Sequence, residues 1–167
     1  MKKQILFLGI LTMISIGAFA QESRIGDFND MTKHYGKDKR TLVKEYMELT
    51  PQEDSLFWPV YDEYEVKRMK LSDERTEIVH EYLVNAKNIN DKEAIKMVER
   101  GVKMEIGFKK LQKTYFTRLS NLIGPIKAAQ FYQFENYLNH DTNVSIQQHI
   151  PFVGELEQKR AHKVINN

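Results

Sequence analysis

An all-α domain of four helices, two of them long, is the fold this sequence predicts. Apolar residues recur at three- and four-residue spacing from about residue 38 to residue 150, the period of one helix face. Helix breakers are scarce, with 8 Gly and 4 Pro in 167 residues, and in the helical region they fall between the periodic segments or at their starts, Pro59, Gly101 and Gly107 excepted. No segment alternates apolar and polar residues as a half-buried strand does. Together these observations predict an elongated helical hairpin arrangement.

The chain opens on Lys2-Lys3, an uncharged apolar run from Ile5 to Ile16, and Ala18-Phe19-Ala20. That order of positive, apolar and small residues is a secretory signal, expected to be removed after residue 20. The apolar run is short for a membrane span, so no stable membrane insertion is expected. The leader holds two lysines and no acid; the 25 basic and 23 acidic side chains of the whole chain therefore become 23 of each. A nucleic-acid binder carries a basic excess, and none is expected here. With no Cys, a disulfide framework, a thiolate metal site and a catalytic thiol are all excluded.

Residues 21–37 are polar and aperiodic and read as a flexible N-terminal arm. The helical domain, 38–150, begins with Leu42, Val43, Tyr46 and Met47 on one face of a short helix. Thr50-Pro51-Gln52-Glu53 is a capping box, with Thr50 as N-cap, Pro51 at the first helical position and Glu53 reaching back. The helix that follows carries Phe57, Val60, Tyr61, Tyr64, Leu71, Ile78, Tyr82 and Leu83 and runs to about Ala86. Pro59 lies inside it, removing one backbone donor, so a bend is expected near 55–59. Asn90 and Glu93 form a second box, and the third helix presents Ile95, Val98, Val102, Ile106, Leu111, Tyr115, Leu119 and Leu122. Gly124-Pro125 ends it and starts the fourth, with Ala128, Phe131, Phe134 and Leu138 in a stripe reaching toward His149. Residues 151–167 form a polar C-terminal tail. Pro51, Phe57, Trp58 and Val60 recur 74 positions later as Pro125, Phe131, Tyr132 and Phe134, a weak internal duplication.

Catalytic chemistry finds no support. There is no Gly-rich phosphate loop, no G-x-S-x-G elbow and no H-E-x-x-H helix, so the expected protein is not an enzyme and has no cofactor. Glu77, His80 and Glu81 share one helix face. A carboxylate-bridged metal bundle needs that E-x-x-H pattern twice, so a solvated face is the expected reading and no metal site is assigned. Trp58 and Tyr132 stand about 100° off the apolar stripes and are expected on an exposed or dimer-facing patch. Arg68 and Arg75 interrupt the seam Tyr64, Leu71, Ile78, with Lys67 beside it. Either they line an open concave face, alkyl stems on apolar surface and charges in water, or they flank an ordinary bundle. On the first reading Trp58, Lys67, Arg68, Arg75 and Tyr132 form a mixed apolar and cationic client-binding surface.

A secretory signal, a Cys-free helical body, Leu49-Thr50-Pro51-Gln52-Glu53 and a second Pro-started segment, Ile123-Gly124-Pro125-Ile126-Lys127, resemble the Spy/CpxP family of small envelope proteins. That family is named for two Leu-Thr-x-x-Gln motifs; here Glu53 stands at the final Gln position of the first, and the second keeps none of the motif residues. Phe57-Trp58-Pro59-Val60-Tyr61-Asp62-Glu63-Tyr64 is also similar to envelope sensors paired with sigma factors. The resemblance implies a cradle-shaped homodimer in the periplasm, acting as an ATP-independent chaperone for partly unfolded envelope proteins. The alternatives are a regulator that binds one stress-sensor protein and a small metal-responsive protein.

Overall fold

Each helix begins where the sequence supplies partners for its first amides. The computed structural model describes residues 35–86 and 88–151, with Lys159 and His162; the leader, most of the arm and most of the tail lie outside the described residues. Four helices follow in order: α1 (Lys39–Met47), α2 (Pro51–Asn85), α3 (Asp91–Ile123) and α4 (Pro125–His149). Asp38 caps α1, its carboxylate accepting from the Thr41 amide at 3.0 Å and the Thr41 hydroxyl at 2.6 Å. Both capping boxes form. The Glu53 amide donates to Thr50 Oγ1 at 3.4 Å while the Thr50 amide donates to Glu53 Oε2 at 2.8 Å. Asn90 and Glu93 repeat the exchange at 3.0 and 3.2 Å.

The ends of the helices are equally explicit. Glu48 takes up a left-handed φ of 45° after α1, and Lys127 Nζ of α4 donates to the carbonyls of Met47 at 2.7 Å and Glu48 at 3.2 Å. A distant lysine thus satisfies acceptors that a helix end leaves open. Gly124, at φ 88°, turns the chain between α3 and α4, and Pro125 opens α4 without a side-chain cap. α2 continues through Pro59 as one helix of 35 residues. α2 and α3 are the two longest helices, at 35 and 33 residues, and the extension to His149 gives α4 25 residues, about 37 Å at 1.5 Å per residue.

Aromatic rings join the three long helices. Phe131 of α4 meets Phe57 and Tyr64 of α2 edge to face at 5.4 and 5.3 Å, and Tyr64 meets Tyr115 of α3 at 5.4 Å. Phe57 and Phe131, the matched positions of the internal duplication, therefore pack on each other. Val43 and Met47 of α1, with Leu119, Ile123 and Ala128, complete this core. Tyr64 faces Glu135, and Arg75 faces Asn139 farther along, so α2 and α4 run in the same direction with α3 antiparallel to both.

The buried face of α3 is only in part the stripe its sequence advertises, Tyr115 and Leu119 being the shared members. Met104, Phe108, Tyr115, Leu119 and Ile123 are buried, whereas Ile95, Val98, Val102, Ile106 and Leu122 are exposed. α3 carries two apolar faces at helical spacing, and the bundle uses the one that bears the aromatic rings, which remove more area from water.

Removing the α2 cap tests this account. Thr50→Ala is expected to lower stability by about 0.5–2 kcal/mol, read from urea unfolding; an unchanged midpoint would mean that α2 does not depend on this box.

Candidate binding surface

Arg75 requires a correction. It is 5% exposed, its guanidinium lies 4.5 Å from the Phe108 ring centroid, and it donates to Asn139 Oδ1 of α4. Glu105 is 3.6 Å away. Burial, offset in part by Glu105, pushes the Arg75 pKa down to about 10. The expectation of Arg75 as a solvent-facing cation fails because α3 and α4 both close over this part of the seam. Arg68 is half-buried and committed to Glu65 at 2.8 Å.

The interior that receives these arginines is a polar layer between aromatic walls. Glu135, 3% exposed, accepts from the Tyr64 hydroxyl at 2.6 Å and from Lys39 Nζ at 3.0 Å. Lys39 also donates to Glu65. Burial above all, then the charge and hydrogen bond of Glu135, holds the Tyr64 phenol far above its ordinary pKa, so it stays a donor. For Glu65, burial opposes ionisation, but Lys39 and Arg68 outweigh it and hold its carboxyl below the usual 4.5. A cavity of about 20 Å³ remains among these side chains, the size of a water molecule and too small for an organic ligand.

The other expected site residues stand apart from one another. Trp58 is half-buried against the core, donating to Asp54 Oδ1 at 2.6 Å with the Arg40 guanidinium 4.2 Å over its ring. Lys67 is exposed, its ammonium 5.3 Å from the Tyr115 ring centroid. Tyr132 is half-buried and meets Phe116 at 6.2 Å. Among the described residues no hydrogen bond or ring contact joins Tyr132 to Trp58, Lys67, Arg68 or Arg75. The structure does not bring the five into one surface.

What it assembles instead is an outward cleft of about 480 Å³, lined by Lys109, Lys113, Phe116, Thr117 and Tyr132. Lysine stems and two aromatic rings form its walls; Lys109 is steadied by Asn136 at 2.5 Å, and Lys113 is exposed. Sequence reasoning found Tyr132 but not Phe116, whose position becomes meaningful only once α4 lies beside α3.

Glu81 and Glu77 pair with Arg100 at 2.6 and 3.6 Å, so the face shared with His80 serves as a link from α2 to α3. Among the described residues no three His, Asp or Glu side chains group to hold a metal ion. No helix among them is long and apolar enough to cross a membrane. The chain matches no family model, no curated protein and no solved structure.

The polar layer makes a pH prediction. Because Glu65 has a folded pKa below its unfolded one, its contribution to stability is present above about pH 4.5 and is lost as the pH falls through the folded value. Glu65→Gln is expected to lower the melting midpoint at pH 7 and to flatten its decline in acid. A variant whose midpoint follows the parent curve at every pH would show that the Lys39–Glu65–Arg68 pairing contributes nothing.

Proposed function

We propose that the mature chain is a non-enzymatic binding protein of the cell envelope that holds partly unfolded proteins without nucleotide or cofactor. The observation that carries the reading is the lysine-walled aromatic cleft of α3 and α4, with Lys109, Lys113, Phe116 and Tyr132 on one open surface. Exposed ammonium groups draw in acidic segments over about a Debye length. Aromatic and alkyl surface then holds them by contact that demands no fixed shape. The signal-like leader supports an extracytoplasmic site of action, the periplasm where the envelope has one. In this reading the binding residues are Tyr132, Phe116, Lys109 and Lys113, with Lys67 as a peripheral cation; Trp58, Arg68 and Arg75 serve the fold.

Aggregation suppression with several unrelated clients tests it, using residues 21–167. The protein is expected to act on most of them, less well at high salt. Tyr132→Ala is expected to speed client dissociation about tenfold, the loss of a contact of about 1–2 kcal/mol, with the melting midpoint nearly unchanged. Lys113→Gln is expected to slow capture and reduce its salt dependence. Binding confined to one protein would overturn the chaperone reading in favour of a stress-sensor partner.

A further inference from the structure

Where α4 stops decides what lies near the outer face of α3. Asn143 of α4 donates to Glu105 of α3 at 3.2 Å, and Tyr132 meets Phe116 at 6.2 Å, so the two helices run antiparallel in a fixed register. Seven residues on from Asn143 is Ile150, and seven back from Glu105 is Val98. The two stand level. Helix α4 ends there: Ile150 is extended, at φ −82° and ψ 141°, and helical geometry resumes at Pro151. The chain therefore changes direction beside Val98.

Beside that end lies an open cleft of about 570 Å³, with Val98, Val102 and Ile106 along it. These three are 66%, 54% and 49% exposed, although their spacing of four residues puts them in one stripe. Isolated exposed apolar residues are ordinary; an aligned row marks a contact surface. One edge of the row is α4, held there through Glu105. Along the other run Lys96, Lys103 and Lys110, all exposed and seven residues apart.

The segment that leaves Ile150 fits this cleft in length, apolarity and charge. Residues 151–158 carry Phe152, Val153, Leu156, Glu155 and Glu157, and no cation. Phe152 and Leu156 are four residues apart, the spacing of Val98, Val102 and Ile106, so the two rows match turn for turn. Continued as helix, the segment spans about 10 Å, against about 12 Å from Val98 to Ile106. We propose that residues 151–158 fold back along α3 and cover Val98, Val102 and Ile106. Phe152 and Leu156 then lie on the stripe, and Glu155 and Glu157 come beside Lys103 and Lys110. Glu99, the acid of the cleft, is level with Phe152, a turn short of Glu155. The inference goes beyond the client reading, because it gives an occupant from the chain itself to a face that the client cleft does not use. Cross-linking and dye binding test it, whereas client binding tests that reading, so either can fail alone.

The sequence has no Cys, so paired cysteines report on this contact alone. In residues 21–167, Val102→Cys with Phe152→Cys is expected to close a disulfide within one chain under mild oxidation in dilute solution. Ile106→Cys with Leu156→Cys is expected to do the same. Val102→Cys with Ile165→Cys, which lies past the docked segment, is expected to close far less. Leu156→Asp is expected to weaken docking about tenfold or more and to raise the binding of a hydrophobic dye severalfold, with the far-UV circular dichroism kept. Lys103→Glu is expected to raise dye binding too, and Glu155→Lys in the same chain to lower it again. Three results would each overturn the proposal: closure with Ile165→Cys as efficient as with Phe152→Cys, disulfides formed only between chains, or dye binding unmoved by Leu156→Asp. Phosphatidylglycerol vesicles that bind the wild-type chain and lose it on Val102→Asp would assign the face to a lipid surface instead.

Discussion

A carboxylate buried between helices organises this molecule. Glu135 lies on α4, accepts from Tyr64 of α2 and is ion-paired to Lys39 at the first turn of α1 at 2.8 Å. Three elements, of which only α1 and α2 are joined by a short connection, are thereby fixed to one side chain. Apolar packing alone would let α4 slide along α2 with modest loss, since neighbouring rings fill similar volumes. A charge taken out of water tolerates no such slip, because an unpaired buried carboxylate is far more costly than a misplaced methyl group. Glu65 extends the constraint by sharing Lys39 and holding Arg68. The aromatic core supplies most of the driving force; the Glu135 pairing dictates which of the possible alignments is adopted.

The fold was legible in the sequence to the extent that it is written locally. The capping boxes at Thr50 and Asn90 and the Gly124-Pro125 junction each depend on residues within three positions of one another, and all sit where the sequence places them. Phe57, Tyr61 and Phe131 were legible as core because their stripes have no rival on the same helix. On α3 a second stripe competes, and period alone cannot rank two faces of one helix. Arg75 was misleading for a related reason. A cation in an apolar seam looks the same whether the seam is open or closed, and what closes it here is Asn139, 64 residues away, with the ring of Phe108. The hydrogen bond of Glu135 to Tyr64 spans 71 positions and leaves no local mark at all.

Closing the seam redistributes the positive charge. Lys39 and Arg75 are spent inside, on Glu65, Glu135 and Asn139, while Lys67, Lys103, Lys110 and Lys113 remain exposed. Interior cations fix geometry and are beyond the reach of a partner; exterior ones act through water, weakly and over distance. Because α3 gives Phe108 and Tyr115 to the core and its lysines to the surface, one helix serves both purposes. The five residues first grouped as one site fall on opposite sides of that division.

On the proposed reading the same division explains how binding is kept loose. A client surrounded by the bundle would have to displace Glu135 or Arg75 from partners that burial makes irreplaceable, and the protein would unfold before it opened. A client on the exterior meets Tyr132, Phe116 and lysine stems, groups that are already partly wet and whose rearrangement disturbs no buried charge. Contact of that kind grows with the apolar area a client offers and fades as the client buries that area in its own core. Folding of the client is then sufficient to end the association, and no nucleotide is required to drive release.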